Sequence, residues 1–130
     1  MGISAFIKSS DWKTEKHAPA INAPDAFNKD EATEVELVVG KEQAHPHTTE
    51  HHIRWIQLFF KPASGNFIYE LGRFDFSAHG ESAQGANAGP VYTDPAVNVK
   101  VRLQEGGTLV ALSYCNIHGL WEGEKEVTVS

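Results

Sequence analysis

From Glu34 the chain alternates: Val35, Leu37 and Val39 are apolar between Glu34, Glu36 and Val38, and Gly40 ends the run. A period of two predicts a strand with one buried face. His52 to Phe60 (HIRWIQLFF) is β-branched and aromatic, with apolar side chains on both faces, as in a central strand of a sandwich. Phe67 to Ser77 reads as another strand, interrupted at Gly72. Val97, Val99, Val101 and Leu103 alternate with Asn98, Lys100, Arg102 and Gln104, the clearest strand pattern in the chain. Glu105-Gly106-Gly107 then predicts a turn, with Thr108 to Tyr114 returning as the hairpin partner, and Glu126 to Val129 predicts a short last strand.

Between these runs lie loops: a turn-rich arm from Ser10 to His17, a Pro- and Asn-containing stretch from Ala18 to Glu31 with room for one short strand, Gln43 to Glu50, and the Gly- and Ala-rich Ala78 to Pro90. No helical periodicity and no internal repeat appears. The pattern predicts an all-β fold, an immunoglobulin-like antiparallel β-sandwich of about seven strands, in one domain spanning residues 1–130. The Cys–Trp–Cys core of true immunoglobulin domains is absent, so only the architecture is expected.

Composition narrows the class. A hydrophobic fraction of 41% in 130 residues allows one ordinary core, and no apolar run is long enough to cross a bilayer. The N-terminal stretch Met1 to Lys13 has no secretory pattern, and a single cysteine excludes an intrachain disulfide; both point to the cytoplasm. Seventeen acidic residues against eleven basic ones weigh against nucleic acid or an anionic membrane as partner.

The seven histidines and Cys115 carry the chemistry. Apart from His79 they form three groups: His17; His45, His47, His51 and His52; and the pair Cys115 and His118. A Cys-x2-His pair is by itself a weak metal signal, but HPHTTEHH beside it strengthens the case. Imidazole and thiolate suit zinc, copper or iron. Structural zinc closes at four ligands, and blue copper wants an axial Met, whereas the only methionine here is Met1. Five or more N and S donors suit a five-coordinate redox iron with one position open. His51 and His52 are adjacent, so on a strand only one of them faces a shared metal. His47 and His79 are expected in solvated or loop-bracing roles.

The chain resembles the neelaredoxin-type superoxide reductases along most of its length, through DWKTEKHAP (Asp11 to Pro19), HPHTTEHHIRWIQL (His45 to Leu58), AHGES, VYTDP and SYCNIHGLWE (Ser113 to Glu122). The extra four-cysteine domain of desulfoferrodoxins is missing, which implies the one-iron form. The resemblance implies equatorial ligation by His17, His45, His51 and His118, with Cys115 axial, around one iron per chain cycling between Fe2+ and Fe3+. It places Glu15 and Lys16 beside the open sixth position as catalytic residues, with Glu15 becoming the sixth ligand in the oxidised state. His52 is expected to face away. One departure stands out: the residue after Pro46 is usually Asn in that family and here is His47.

The activity so implied is one-electron reduction of superoxide to hydrogen peroxide with two protons and an external donor, expected to be rubredoxin. The Lys16 cation would offer a local positive potential that outweighs the net charge of −6. Backbone N–H groups of Ile117 and His118 are expected on the sulfur, and Trp121 either shields the metal or fills core. A homotetramer is expected. The alternative is a non-catalytic metal-binding β-sandwich.

Overall fold

The computed structural model describes residues 1–130. Nine strands form two facing sheets: β1 (Lys8–Ser9), β2 (Pro19–Asn22), β3 (Ala26–Phe27), β4 (Thr33–Val39), β5 (Ile53–Pro62), β6 (Tyr69–Asp75), β7 (Ala96–Val101), β8 (Gly107–Cys115) and β9 (Gly119–Val129). The larger sheet runs β1-β9-β8-β5-β6, with β3 also on β9; the smaller is β2-β4-β7. The sole helical element is one 3-10 turn, Ile3–Phe6. No helix is long and apolar enough to cross a membrane.

The core lies between the sheets and is built by alternation. Val35, Leu37 and Val39 of β4 face Ile56, Leu58 and Phe60 of β5 and Leu109 and Ala111 of β8, all buried. Each fully buried Leu or Ile contributes roughly 1.5–3 kcal/mol from area removed from water. On β8 the inward positions continue past Ala111 to Ser113 and Cys115, both fully buried. The sulfur is thus the last inward side chain of a core strand.

All-β architecture and two sheets match the pattern-based expectation, and seven of the strands have four or more residues. Three details differ. The two shortest strands, β1 and β3, pair parallel to β9, so the sandwich is not purely antiparallel; they cover the two ends of an edge that would otherwise stay unpaired. Secondly, β8 pairs with β5 and β9, not with β7, which belongs to the opposite sheet. Both strands bury one face, and alternation looks the same whether two strands are neighbours or face each other across a core. Thirdly, the last strand begins at Gly119 rather than Glu126, because Gly123 and Lys125 sit at the half-buried positions of β9 and carry no apolar signal.

Candidate metal centre

One end of the sandwich collects the donors. Antiparallel pairing sets Ile53 opposite Cys115 and Cys115 opposite Gly119, so the start of β5, the end of β8 and the β8–β9 turn coincide. Pairing of Pro19 with Val39 brings the arm that precedes β2 to the same end, along with the loop that follows β4. His17 enters from the arm, His45 and His51 from the β4–β5 loop, Cys115 from β8 and His118 from the turn. Two glycines make this convergence sterically possible. Gly40 has φ of +85°, and a Cβ there would lie 2.6 Å from the His45 nitrogen. Gly123 of β9 admits the Pro19 carbonyl so closely that a Cβ would stand 2.3 Å from its oxygen, and this seats His17 on β9.

One donor atom from each of His17, His45, His51 and Cys115 lies within 4.8 Å of the others. His118 Nδ1 is 2.9 Å from His17 Nε2 and 3.8 Å from the Cys115 sulfur, so it joins the same cluster. Donors on opposite sides of one ion would be about 4.2 Å apart for two nitrogens and about 4.4 Å for nitrogen and sulfur, so a spread of 4.8 Å needs only a slight contraction to close on a single ion. The ring orientations agree. His45 donates Nδ1–H to the Pro46 carbonyl, and His17 donates Nδ1–H to Glu15 Oε2 at 2.8 Å, which frees the Nε2 lone pair of each ring. His45 Nε2 and His51 Nε2 are buried with no hydrogen-bond partner. An orphaned imidazole lone pair costs free energy unless something electron-poor meets it. Imidazoles braced through the far nitrogen by a carboxylate or carbonyl have the arrangement of metal ligands.

Electrostatics favours the neutral form of His45, His51 and His118. Burial, reinforced by the neighbouring His17, His51 and Lys16, pushes His45 down to about 4 against the opposing Pro46 hydrogen bond. His51 is lowered by burial and then by His118 and His17. His118, on the solvent side, is lowered by desolvation and then by His17, Lys16 and Lys8. The charge of Lys16 acts on His45, His51 and His118 alike, which sets a cation beside the cluster in an acidic protein. Neutral imidazole is the form that binds metal.

Glu15 has a role that spacing did not reveal. Its carboxylate accepts from the His17 ring, from the His17 backbone N–H and from the Ala18 N–H at 3.2 Å. Burial works to raise its pKa, but these His17 contacts hold it below the usual carboxylate range. In this structure Glu15 therefore braces His17. Trp121 stacks on the His17 ring, 5.0 Å between centroids at 15°, and carries Lys8 over its own ring at 5.5 Å. It covers the cluster rather than filling the core. The Cys115 sulfur lies 3.8 Å from the His118 ring nitrogen Nδ1.

The other three histidines lie apart. His52 is buried and faces away, donating Nδ1–H to the Thr48 carbonyl at 2.9 Å. His79 is buried and braces its loop: its carbonyl accepts from Thr49 Oγ1 at 2.6 Å and its ring bonds Glu81. His47 is half-buried, held to Thr93, and pushed down to about 4 by burial and then by His79 and His52. A surface cavity of about 750 Å³ lies at the opposite end of the sandwich, around Lys61, Gly107 and Val129. Volume alone points away from the chemistry.

Fold and site together define a β-sandwich metalloprotein with a mixed imidazole–thiolate centre at one end. Residues 9–124 match the family model of desulfoferrodoxin, and the chain belongs to that family. It is 52% identical over 129 residues to neelaredoxin of Megalodesulfovibrio gigas, covering 99% of each chain. To the superoxide reductase of Pyrococcus furiosus it is 52% identical over 122 residues, covering 94% of this chain and 96% of the relative. The reduced-form structure of superoxide reductase (neelaredoxin) from Archaeoglobus fulgidus aligns with a TM-score of 0.87 at 46% identity, over 95% of this chain and 98% of that one.

Proposed function

We propose that the chain is a superoxide reductase, an oxidoreductase that takes superoxide to hydrogen peroxide at a single non-haem iron in one domain, residues 1–130. The observation that carries this is the convergence of His17, His45, His51 and Cys115 within 4.8 Å, with the buried Nε2 atoms of His45 and His51 left without partners. Those four and His118 would hold the metal: four neutral nitrogens and one thiolate, a donor set that suits iron and excludes magnesium or calcium.

Iron, when bound, supplies the single electron that converts superoxide, with two protons, to hydrogen peroxide. The chain's own groups do the rest. The Lys16 ammonium draws the anion in and counters the net charge of −6 at the point of entry. Cys115, fully buried, keeps its sulfur away from solvent. Trp121 covers the His17 side and limits water there. Glu15 holds His17 in its tautomer, and the same carboxylate is the candidate sixth ligand of the oxidised metal, a role that requires it to leave His17. The resemblance further supports an external one-electron donor of the rubredoxin kind, a homotetramer and a cytoplasmic setting.

Anaerobic pulse radiolysis of reduced, iron-loaded protein tests the reading. Wild type should consume superoxide near the diffusion limit without evolving oxygen, and more slowly as salt rises. Lys16→Ala should be about tenfold slower with a flatter salt dependence. Equal rates for the two proteins at every ionic strength would remove Lys16 from the mechanism, and oxygen evolution would make the protein a dismutase.

A further inference from the structure

The three histidines outside the centre also meet one another. His47, from the β4–β5 loop, and His79, from the β6–β7 loop, have ring centroids 4.7 Å apart at 62°. His45 and His51 of the first centre are separated by the same 4.7 Å, at 74°.

Hydrogen bonding fixes both tautomers. The Thr93 hydroxyl gives its one hydrogen to the Ala78 carbonyl at 3.0 Å, so it accepts from His47 Nε2–H at 2.8 Å, and His47 Nδ1 keeps its lone pair. His79 donates Nδ1–H to Glu81 Oε2 at 3.0 Å, and its Nε2 keeps a lone pair likewise. Both lone pairs are buried and neither has a partner; His79 as a whole is only 5% exposed. Each ring is thus braced through its far nitrogen by a carboxylate or a hydroxyl, as metal-binding imidazoles are.

His52 does not complete the set. Its ring lies flat on His79, 3.5 Å between centroids at 9°. In-plane lone pairs of two parallel rings run in separate planes and do not converge, so His52 buttresses His79.

We propose that His47 Nδ1 and His79 Nε2 form a second metal site, separate from the first centre, for a divalent ion of the zinc class with solvent completing its shell. Two imidazoles and water suit zinc or copper and leave magnesium and calcium without the oxygen ligands they need. A bound ion would clip the β4–β5 loop to the β6–β7 loop, which Thr49 and His79 already tie together.

The test uses protein whose first centre is already filled with ferrous iron, dialysed to equilibrium against zinc chloride under anaerobic conditions. Seven histidines are present and the first centre uses four, so zinc held by imidazole reports this cluster. One zinc per chain is expected beyond the iron, with the iron content unchanged. X-ray absorption at the zinc edge should show two imidazoles with oxygen and no sulfur. His79→Gln and His47→Asn should each weaken zinc binding at least tenfold. Absence of zinc from the wild type would leave a water bridge between the two rings and overturn the site. So would sulfur in the zinc shell, or equal zinc binding by well-folded variants. The absorption spectrum of the wild type decides the matter even if a variant fails to fold.

Discussion

Five side chains would hold the metal in the proposed centre, but the groups that orient them do as much to define it. Imidazole has two nitrogens, and only the one left without a proton can bind a metal. Glu15 makes that choice for His17, and the Pro46 carbonyl makes it for His45. An amide can still accept the His17 ring proton but lacks the charge that strengthens the bond. Glu15→Gln should therefore weaken iron binding about 10- to 100-fold, read by competition with a chelator; unchanged affinity would show that His17 is held by Trp121 stacking alone. The Cys-x2-His pair and the histidine run were legible from residue types. The orienting role of Glu15 was not, because a carboxylate two residues before a histidine is common and means nothing until the ring is seen to turn toward it.

At the scale of elements, the loop between β4 and β5 supplies two of the donors and has no strand of its own to hold it. Gly40 folds its first turn back so tightly that a methyl group would sit 2.6 Å from the His45 backbone nitrogen. Gly40→Ala meets both that clash and an unfavourable positive φ. We expect it to displace His45: iron content should drop by more than half, while far-ultraviolet circular dichroism still reports the sandwich. Full iron occupancy in this variant would mean that the loop tolerates a different path. Strands β4 and β7 could be read from alternation, and β5 from its run of β-branched and aromatic residues. Their partners could not, since β7 and β8 carry the same periodicity and yet lie in different sheets. Strand β9 was mostly hidden, because its half-buried face includes Trp121, Gly123 and Lys125 instead of a run of aliphatic residues.

For the molecule as a whole, buried neutral histidines make stability depend on pH. His45 and His47 titrate at about 4 in the folded chain against 6.5 as the ordinary value. The unfolded chain thus takes up protons as pH falls below about 6.5, while the folded chain waits until about 4. Where the unfolded state binds more protons, stability rises with pH. The contribution of these two groups is therefore complete above 6.5 and is lost as pH falls toward 4, below which it stays constant. Metal-free protein should show a urea midpoint that declines across that window, and His47→Asn should flatten the decline. A midpoint that climbs toward low pH would contradict the neutral assignment. Filling the first centre should raise stability and carry the decline due to His45 to lower pH, because a metal-bound imidazole takes up no proton until the ion leaves.

The sequence by itself determined the all-β class, the positions of the main strands and the residue types able to hold a thiolate-bound metal. Periodicity and donor chemistry are local properties, and one dimension is enough to express them. Only the tertiary structure decided which sheet each strand joins, which nitrogen of each histidine is free, and that the histidines divide into two clusters. Adjacent residues can serve different clusters, as His51 and His52 do, because neighbouring side chains point to opposite sides of an extended chain. Residues a hundred positions apart can share one, as His17 and His118 do at 2.9 Å, because antiparallel pairing brings the ends of distant strands to the same rim.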